Sequence, residues 1–462
     1  MSKVQPALLR GFDQEYLPQE QLQFNRLVEI IRRNFELFGF VPIETPAAER
    51  KEVLTSKGGV EKEIYALTRL AADDDEASIK GALHFDLTVP LARYVAMRER
   101  ELPFPFRRYQ IQKVWRGETP QARKGRFREF YQCDIDIINR DKLSYLAEAE
   151  IPSVIHSVFR EMGVGEFRIR INNRKVLKAV LQRFNVSDDN SAVVLRSLDK
   201  IAREKSSVVL EDLSRAGMSD AQASRLFSFM STKRDTNETL GALSELASQN
   251  EMCKTATAEL RELVAAVRKF GVPESAFCID LAVVRGLDYY TGTIYETTLN
   301  SYPELGSICS GGRYDDLASY FTDTKLPGVG ISIGLTRLFS KLKEVGLLHP
   351  VAKTPTEALI VTMDHQYLDW YLDIARLLRE AGVNTEVYLE SAKLRNQLAY
   401  ADKKGFRLAL IAGQSEVERN VVQIKDLSAQ TASEFPLAEV VSAVKSALED
   451  SIKREAADGI GP

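Results

Sequence analysis

At 462 residues the chain is longer than one hydrophobic core fills, so two or three domains are expected. Apolar residues make up 44% and charged residues 27%, the balance of a soluble globular protein. A net charge of −3 supplies no global field for nucleic acid, so any such contact needs a local basic patch.

Cys133, Cys253, Cys278 and Cys309 lie far apart, which argues against a zinc site or a disulfide framework and suits a reducing cytosol. No charged-then-apolar leader and no bilayer-length apolar run occur, so a cytoplasmic location away from membranes is expected. Gln19 to Phe38 carries Phe24, Leu27, Val28, Ile31, Phe35 and Phe38 at helical spacing, and Gly39 is placed to stop the helix. Pro42 and Pro46 then punctuate an extended segment in a way that fits an edge strand or an interface. Residues 72–78 form an acidic loop. Asp86 and Thr88, two apart, are expected on one strand face, followed by a helix from Pro90 to about Arg100.

Arg107 to Trp115 and Arg126 to Ile138 read as two strands around a long polar loop, which makes an antiparallel pair. In the second strand Phe127, Tyr131, Cys133, Ile135 and Ile137 alternate with Arg128, Phe130, Gln132, Asp134 and Asp136. An aromatic among arginine, glutamine and carboxylates makes a poor solvent face and a good floor for a nucleotide and an ammonium-bearing substrate. From about Asn173 to Phe270 helical spacing takes over between Ser/Asp/Asn-rich turns, giving an all-helical insert.

Strand signals resume at Cys278 and reach Val284-Arg285-Gly286-Leu287-Asp288-Tyr289-Tyr290, where an arginine fork, a glycine and two tyrosines suit a small, half-polar ligand. Gly306 to Asp315 reads as a glycine-rich turn. Gly328 to Leu338 reads as a glycine-spaced strand running into a helix, with glycines clearing one strand face for a flat ligand and Arg337 at the helix start. There is no G-x-x-x-x-G-K-[ST] and no G-x-G-x-x-G opening a βα unit, so an ATP site here is neither P-loop nor Rossmann. Beyond a proline-marked linker near His349 to Pro355, strands and helices alternate as in a small, mostly parallel sheet, with the last helix ending near Leu448. Lys393, Arg395, Lys403, Lys404 and Arg407 gather around one of its helices and could meet phosphate.

Together these residues resemble the histidine–tRNA ligase family of class II aminoacyl-tRNA synthetases along essentially the whole chain. Arg285 to Tyr290 and Gly311-Gly312-Arg313-Tyr314-Asp315 are similar to that family's own two motifs. Glu44-Thr45-Pro46, Val114 to Phe130 and Gly328 to Leu338 are similar to the three motifs shared by class II enzymes. Asp86-Leu87-Thr88 and Asp134-Ile135-Asp136 look like the branch typified by eukaryotic sequences, where other bacterial members carry Glu.

The resemblance implies an α+β catalytic domain, an antiparallel sheet of about six or seven strands flanked by helices, with an all-α insert and a C-terminal α/β domain. The boundaries it suggests are 1–172 with 271–348 for the core, 173–270 for the insert, 355–450 for an anticodon-binding domain and 451–462 for a flexible tail. It implies ATP-dependent activation of L-histidine and transfer to tRNA(His) by a homodimer, with Mg2+ accompanying ATP and no resident metal. Arg116 would hold the α-phosphate, Phe130 would stack on adenine, Glu118 would seat the base and Arg337 would cover its other face. Asp86, Thr88 and Gln132 would bind the α-ammonium; Asp136, Tyr289 and Tyr290, with Tyr314 nearby, would accept and shape the imidazole. Arg285 would clamp the carboxylate and the α-phosphate, which makes Arg285 and Arg116 the catalytic pair.

Two other readings share the fold. A regulatory subunit of ATP phosphoribosyltransferase lacks the C-terminal domain and the Arg285-type hexad. An inactive tRNA sensor is expected to have lost Arg116, Arg285 or Arg337.

Overall fold

A computed structural model describes residues 5–56, 61–69, 80–121, 125–201, 204–247, 251–284, 290–316, 318–348 and 351–457. The acidic loop at 72–78 and the stretch holding Arg285 and Tyr289 lie outside the described residues, as do 458–462. The chain divides into two compact units, Met1–Gln14 with Val28–Leu347, and Glu15–Leu27 with Leu348–Pro462.

In the first unit the strands are β1 (Val41–Pro42), β2 (Ala48–Arg50), β3 (Ala66–Leu67), β4 (Gly81–Leu83), β5 (Phe106–Trp115), β6 (Glu129–Ile138), β7 (Phe167–Asn173), β8 (Phe277–Ile279), β9 (Thr293–Leu299), β10 (Cys309–Tyr314) and β11 (Gly328–Gly334). Among the described residues its main sheet has eight strands, in the order β1-β5-β6-β11-β10-β9-β7-β8. The six from β5 to β7 pair antiparallel, and β1 and β8 add parallel pairings at the two edges. Proline explains one edge: Pro42 cannot donate to a ladder, and β1 is exposed. Strands β2, β4 and β3 form a small sheet of their own.

Helix α1 (Pro18–Leu37) is divided at Leu27 between the second unit and the first; the other helices of the first unit are α2 (Lys51–Leu54), α3 (Thr88–Arg98) and α4 (Tyr145–Met162), and the insert follows as α5 (Arg174–Arg183), α6 (Asp188–Leu198), α7 (Ser206–Arg215), α8 (Asp220–Ser231), α9 (Thr236–Ala247) and α10 (Glu251–Lys269). Helix α4 starts at Ser144, whose hydroxyl accepts from Leu146 N, and stops at Gly163 with φ 66°. It packs on β11 and β7, burying Ile151, Val154, Ile155, Val158 and Phe159. Each such side chain removed from water contributes about 1.5–3 kcal/mol. Helix α11 (Leu335–Glu344) leaves β11 directly, as the Gly-spaced strand and helix predicted.

Two local expectations are overturned. Asp86 and Thr88 do not share a strand face: Asp86 Oδ1 accepts from Val89 N at 3.1 Å, and Thr88 is already the first residue of α3. A short polar residue ahead of a helix competes for backbone N–H groups, which ends the extended run early. The segment 306–315 is not all turn, because β10 runs through Gly311 and Gly312 between β9 and β11. Glycine there makes room rather than bends: a Cβ on Gly312 would stand 2.8 Å from the Tyr290 ring, and one on Gly311 would strike β11 backbone.

The second unit holds β12 (Ala358–Ile360), α12 (Leu368–Glu380), β13 (Thr385–Val387), α13 (Leu394–Lys404), β14 (Leu408–Ile411), α14 (Gln414–Glu418), β15 (Val421–Asp426), β16 (Thr431–Pro436) and α15 (Val440–Ala457). Its sheet order is β13-β12-β14-β15-β16. Only β13, β12 and β14 are parallel; β14, β15 and β16 are antiparallel. A short link turning through Gln430 at φ 56° makes a hairpin, whereas a parallel return needs a crossover element. Helix α15 runs past Leu448 to Ala457, held by buried Ser451 and by Arg454 paired with Asp426. No helix among the described residues is long and apolar enough to cross a membrane.

Candidate active site

Register places the polar side chains. Along β5, β6 and β11, Arg108 faces Asp136 and Gly330, Gln110 faces Asp134 and Ser332, and Gln112 faces Gln132 and Gly334. Period two puts all nine on one face, while Cys133, Ile135 and Ile137 enter the core on the other. The polar face of β6 is buried, not wet: Gln132, Asp134 and Asp136 are 8%, 3% and 4% exposed.

At one end of this face lies a cavity of about 320 Å³ lined by Arg116, Glu118, Phe130, Gln132, Ser332 and Arg337, with Gly125 and residues 307–310. The Arg116 guanidinium stands 5.1 Å from the Phe130 ring centroid, and its Nε donates to Phe85 O at 3.0 Å. That bond uses the inner nitrogen and leaves the terminal fork for an anion. Arg337 Nη2 donates to Leu305 O at 2.5 Å, and a Cβ on Gly125, which has φ +64°, would lie 2.7 Å from Arg337 Cγ. Glu118 is 3.8 Å from Arg126. The four residues expected to hold a nucleotide thus converge on one polar cleft with a cation on either side.

The second group adjoins it. Arg108, fully buried, pairs with Asp136 Oδ2 at 2.6 Å, and Tyr314 Oη donates to Asp136 Oδ1 at 2.7 Å. Gly328 and Gly330 do not clear space for a flat ligand. A Cβ on Gly328 would collide with the Tyr314 ring, and one on Gly330 with the Asp136 carboxylate. Gln132 Nε2 donates to Ser332 Oγ at 2.7 Å. Burial raises the Asp134 carboxyl to about 7 and the Asp136 carboxyl to about 6, against the pull of Arg108, and Asp86 pushes both further up. Tyr290, packed on Gly312, has its phenol raised by burial and then by Asp136 and Asp134. Asp86, Gln132, Asp136, Tyr290 and Tyr314 therefore form one neighbourhood, with Thr88 opening the helix behind Asp86. Arg285 and Tyr289 are outside the described residues.

Residues to which sequence reasoning gives no individual role complete the frame. Arg108 is not singled out at all, and Asp134, placed on the ligand face by alternation, gains its partners only from cross-strand register. Arg313 Nη1 pairs with buried Glu148 at 2.7 Å and Arg313 Nε with Asp315 at 3.0 Å, while Thr291 Oγ1 donates to Asp315 at 2.6 Å. A Cβ on Gly292 would sit 2.7 Å from Arg313 Cδ, so this brace holds the entry to β9. A larger cavity of about 950 Å³, lined by Arg168, Arg170, Asp235 and Asp280 with insert residues, collects none of the expected site residues; volume alone does not mark the chemistry.

The packing implies that Gly330→Ala costs about 1–3 kcal/mol, since a methyl must displace Asp136 from a filled core. Gly241→Ala, inside α9 with open space around it, should instead stabilise by about 0.5–1 kcal/mol. Chemical denaturation of the two variants beside the parent checks the pair; similar signs would refute the packing argument.

An antiparallel core sheet carrying a polar cleft of arginines and an aromatic, with neither P-loop nor Rossmann turn, is the catalytic architecture of class II aminoacyl-tRNA synthetases. Comparison with known proteins narrows this. The family model described as histidyl-tRNA synthetase matches residues 13–338, and that described as anticodon binding domain matches 357–447. The chain is 46% identical over 459 residues to the histidine–tRNA ligase of Xanthomonas axonopodis pv. citri (strain 306), covering 95% of each. It is 46% identical over 452 residues to the histidine–tRNA ligase of Stenotrophomonas maltophilia (strain K279a), covering 95% of this chain and 97% of that one. The crystal structure of histidyl-tRNA synthetase from Nostoc sp. PCC 7120 superposes with a TM-score of 0.87 at 39% identity, covering 96% of this chain and all of that one. The chain belongs to the histidyl-tRNA synthetase family.

Proposed function

We propose the following division of labour for the reaction that this chain, as a histidine–tRNA ligase family member, catalyses: ATP-dependent activation of L-histidine, then transfer of histidine to the 3′ end of its tRNA. The observation that carries it is the convergence of Arg116, Glu118, Phe130 and Arg337 on one cleft beside the Gln132–Asp136 face. In the first step a histidine carboxylate oxygen attacks the α-phosphorus, the bond to the β-phosphate breaks and pyrophosphate leaves. No general base is needed, because the carboxylate is already a nucleophile. In the second step a terminal ribose hydroxyl attacks the adenylate carbonyl, AMP leaves and the hydroxyl proton is released.

Catalysis is then positioning plus stabilisation of developing charge. Arg116 holds the α-phosphate, Phe130 and Arg337 sandwich the adenine, and Glu118 seats it. Asp86, Thr88 and Gln132 receive the α-ammonium; Asp136, held by Arg108 and Tyr314, accepts the imidazole N–H between Tyr289, Tyr290 and Tyr314. Arg285 clamps carboxylate and phosphate together. Mg2+ arrives with ATP as part of the substrate, where it neutralises the outer phosphates. Among the described residues no group of three His, Cys, Asp or Glu could cage a metal, and the one carboxylate at the cleft, Glu118, suits an ion carried chiefly by phosphate oxygens and water. Histidine-dependent ATP–pyrophosphate exchange, run across all twenty amino acids, tests the reading; exchange with another amino acid and none with histidine overturns it.

The domain boundaries proposed are 1–172 with 271–348, 173–270, and 355–450, in a cytoplasmic homodimer joined through the segment around Glu44-Thr45-Pro46, where Glu44 and Pro46 are exposed beside the β1 edge. The C-terminal domain holds the RNA through α13, on which Arg395 and Lys403 are exposed. Replacing both with alanine should weaken tRNA binding and reduce the slope of log affinity against log salt by about 1–2, since each phosphate contact contributes roughly 0.7–0.9. An unchanged salt slope in filter binding or anisotropy would take α13 out of the RNA contact.

A further inference from the structure

We propose that Asp134 is a third acidic wall of the amino-acid pocket and receives the α-ammonium of histidine; the inference rests on the reading of this face as the histidine site.

Asp134 lies between Gln132 and Asp136 on the functional face of β6, with Gln110 opposite it on β5 and Ser332 on β11. The Ser332 hydroxyl donates to it, yet its Oδ1 is buried and has no hydrogen-bond partner among the described residues. Gln110 Oε1 and Gln132 Oε1 are bare in the same way. Three buried acceptors without donors on one patch are rare in a native core, where nearly every such group is paired. The Arg108 nitrogens on the same face also lack hydrogen-bond partners, but Arg108 is drawn to Asp136 and does not reach these oxygens. An ammonium group, with three donors and no acceptor, can serve the oxygens that Arg108 leaves bare.

Charge agrees with the count of acceptors. The charged or titratable groups interacting with Asp134 are Arg108 from β5, Asp136 beside it, Asp86 ahead of α3, Tyr290, and, from the opposite face of the sheet, the thiols Cys133 and Cys309. Asp136 is already served by Arg108 and Tyr314. Arg108 draws the Asp134 carboxyl down without hydrogen-bonding it, and burial still holds it up to about 7. The protein thus provides a partner for Asp136 and leaves Asp134 for a cation from outside. In the free protein near neutrality Asp134 is partly protonated; an arriving ammonium favours the carboxylate, and the displaced proton goes to solvent.

The test is calorimetric titration of the full-length Asp134→Asn protein with L-histidine, histamine and imidazolepropionate. Histamine keeps the ammonium and lacks the carboxylate; imidazolepropionate does the reverse. The expected result is a loss of about ten- to hundredfold in affinity for L-histidine and histamine, as for a charged hydrogen bond removed, with imidazolepropionate and ATP unchanged. Equal weakening of all three imidazole ligands would make Asp134 a structural residue, and unchanged histamine binding would remove it from the pocket; either overturns the proposal. If Asp134→Asn does not fold, Asp134→Ser, which removes volume as well as charge, carries the same comparison. A parent protein that binds no histidine at all would overturn the reading of the site, a result distinct from a variant that binds histamine as well as its parent.

Discussion

Arg108→Met should destabilise the full chain by about 3–5 kcal/mol at pH 8, and by distinctly less at pH 5. Arg108 is fully buried and its guanidinium is 2.6 Å from Asp136, so methionine fills most of the volume but leaves an uncompensated carboxylate in the core. The pH dependence follows from the direction of the shifts. Asp134 and Asp136 are raised from the ordinary 3.8 to about 7 and about 6, so the folded state binds protons that the unfolded state has released. Their contribution is complete below about pH 4 and is lost as pH rises through about 6–7. Removing the arginine raises both carboxyls further, and at pH 5 they meet the loss protonated and neutral. Urea denaturation at the two pH values measures it. An equal loss at both would mean that packing, not charge, is what Arg108 contributes.

Arg116→Ala should slow adenylate formation by about two to three orders of magnitude while changing ATP affinity much less. Its terminal nitrogens are free of the bond that anchors Nε to Phe85 O, so the fork is pre-aimed at the cleft it lines. A donor held in place before the reaction pays no reorganisation cost when charge develops on the α-phosphoryl group. Arg116→Lys keeps the charge but loses the fork, so it should recover only part of the rate. Single-turnover adenylation under saturating ATP and histidine separates the two terms. A variant whose whole defect disappears at saturating ATP would show that Arg116 binds the nucleotide without acting on the transition state.

The brace Glu148–Arg313–Asp315 shows how the scaffold supports a loop that carries chemistry. It fixes Thr291 and the start of β9, directly after Tyr290, from a buried acid on α4. A pair of this kind contributes mainly by holding one geometry, because desolvation offsets much of its Coulomb attraction.

How much of this was legible before folding depended on whether a residue's meaning is local. Arg116, Glu118, Phe130 and Arg337 could be assigned from linear order because each sits in a contiguous motif, and all four line one cleft. The hairpin of β5 and β6 was legible for the same reason: alternation and an intervening polar loop are properties of adjacent residues. Asp86 and Thr88 were misplaced because a spacing of two fits a strand and a helix start alike, and only the hydrogen bond that Val89 N donates to Asp86 Oδ1 decides between them. Gly311 and Gly312 pointed to a turn by propensity; Tyr290 and the neighbouring strand made them interior strand positions.

What the sequence alone determined was therefore the set of parts: a two-stranded arginine-and-aromatic motif, a glycine-spaced strand feeding Arg337, a helical insert and a separate α/β unit. What only the tertiary structure decided was which charges face one another. Arg108 and Asp136 are far apart in the chain's chemistry until β5 and β6 adopt one register, in which a slip of a single residue would turn every polar side chain to the opposite face. Burial then does what no local pattern encodes. It strips water from two neighbouring carboxylates, Asp134 and Asp136, supplies one guanidinium against them, and leaves Asp134 Oδ1 without a hydrogen-bond partner among the described residues.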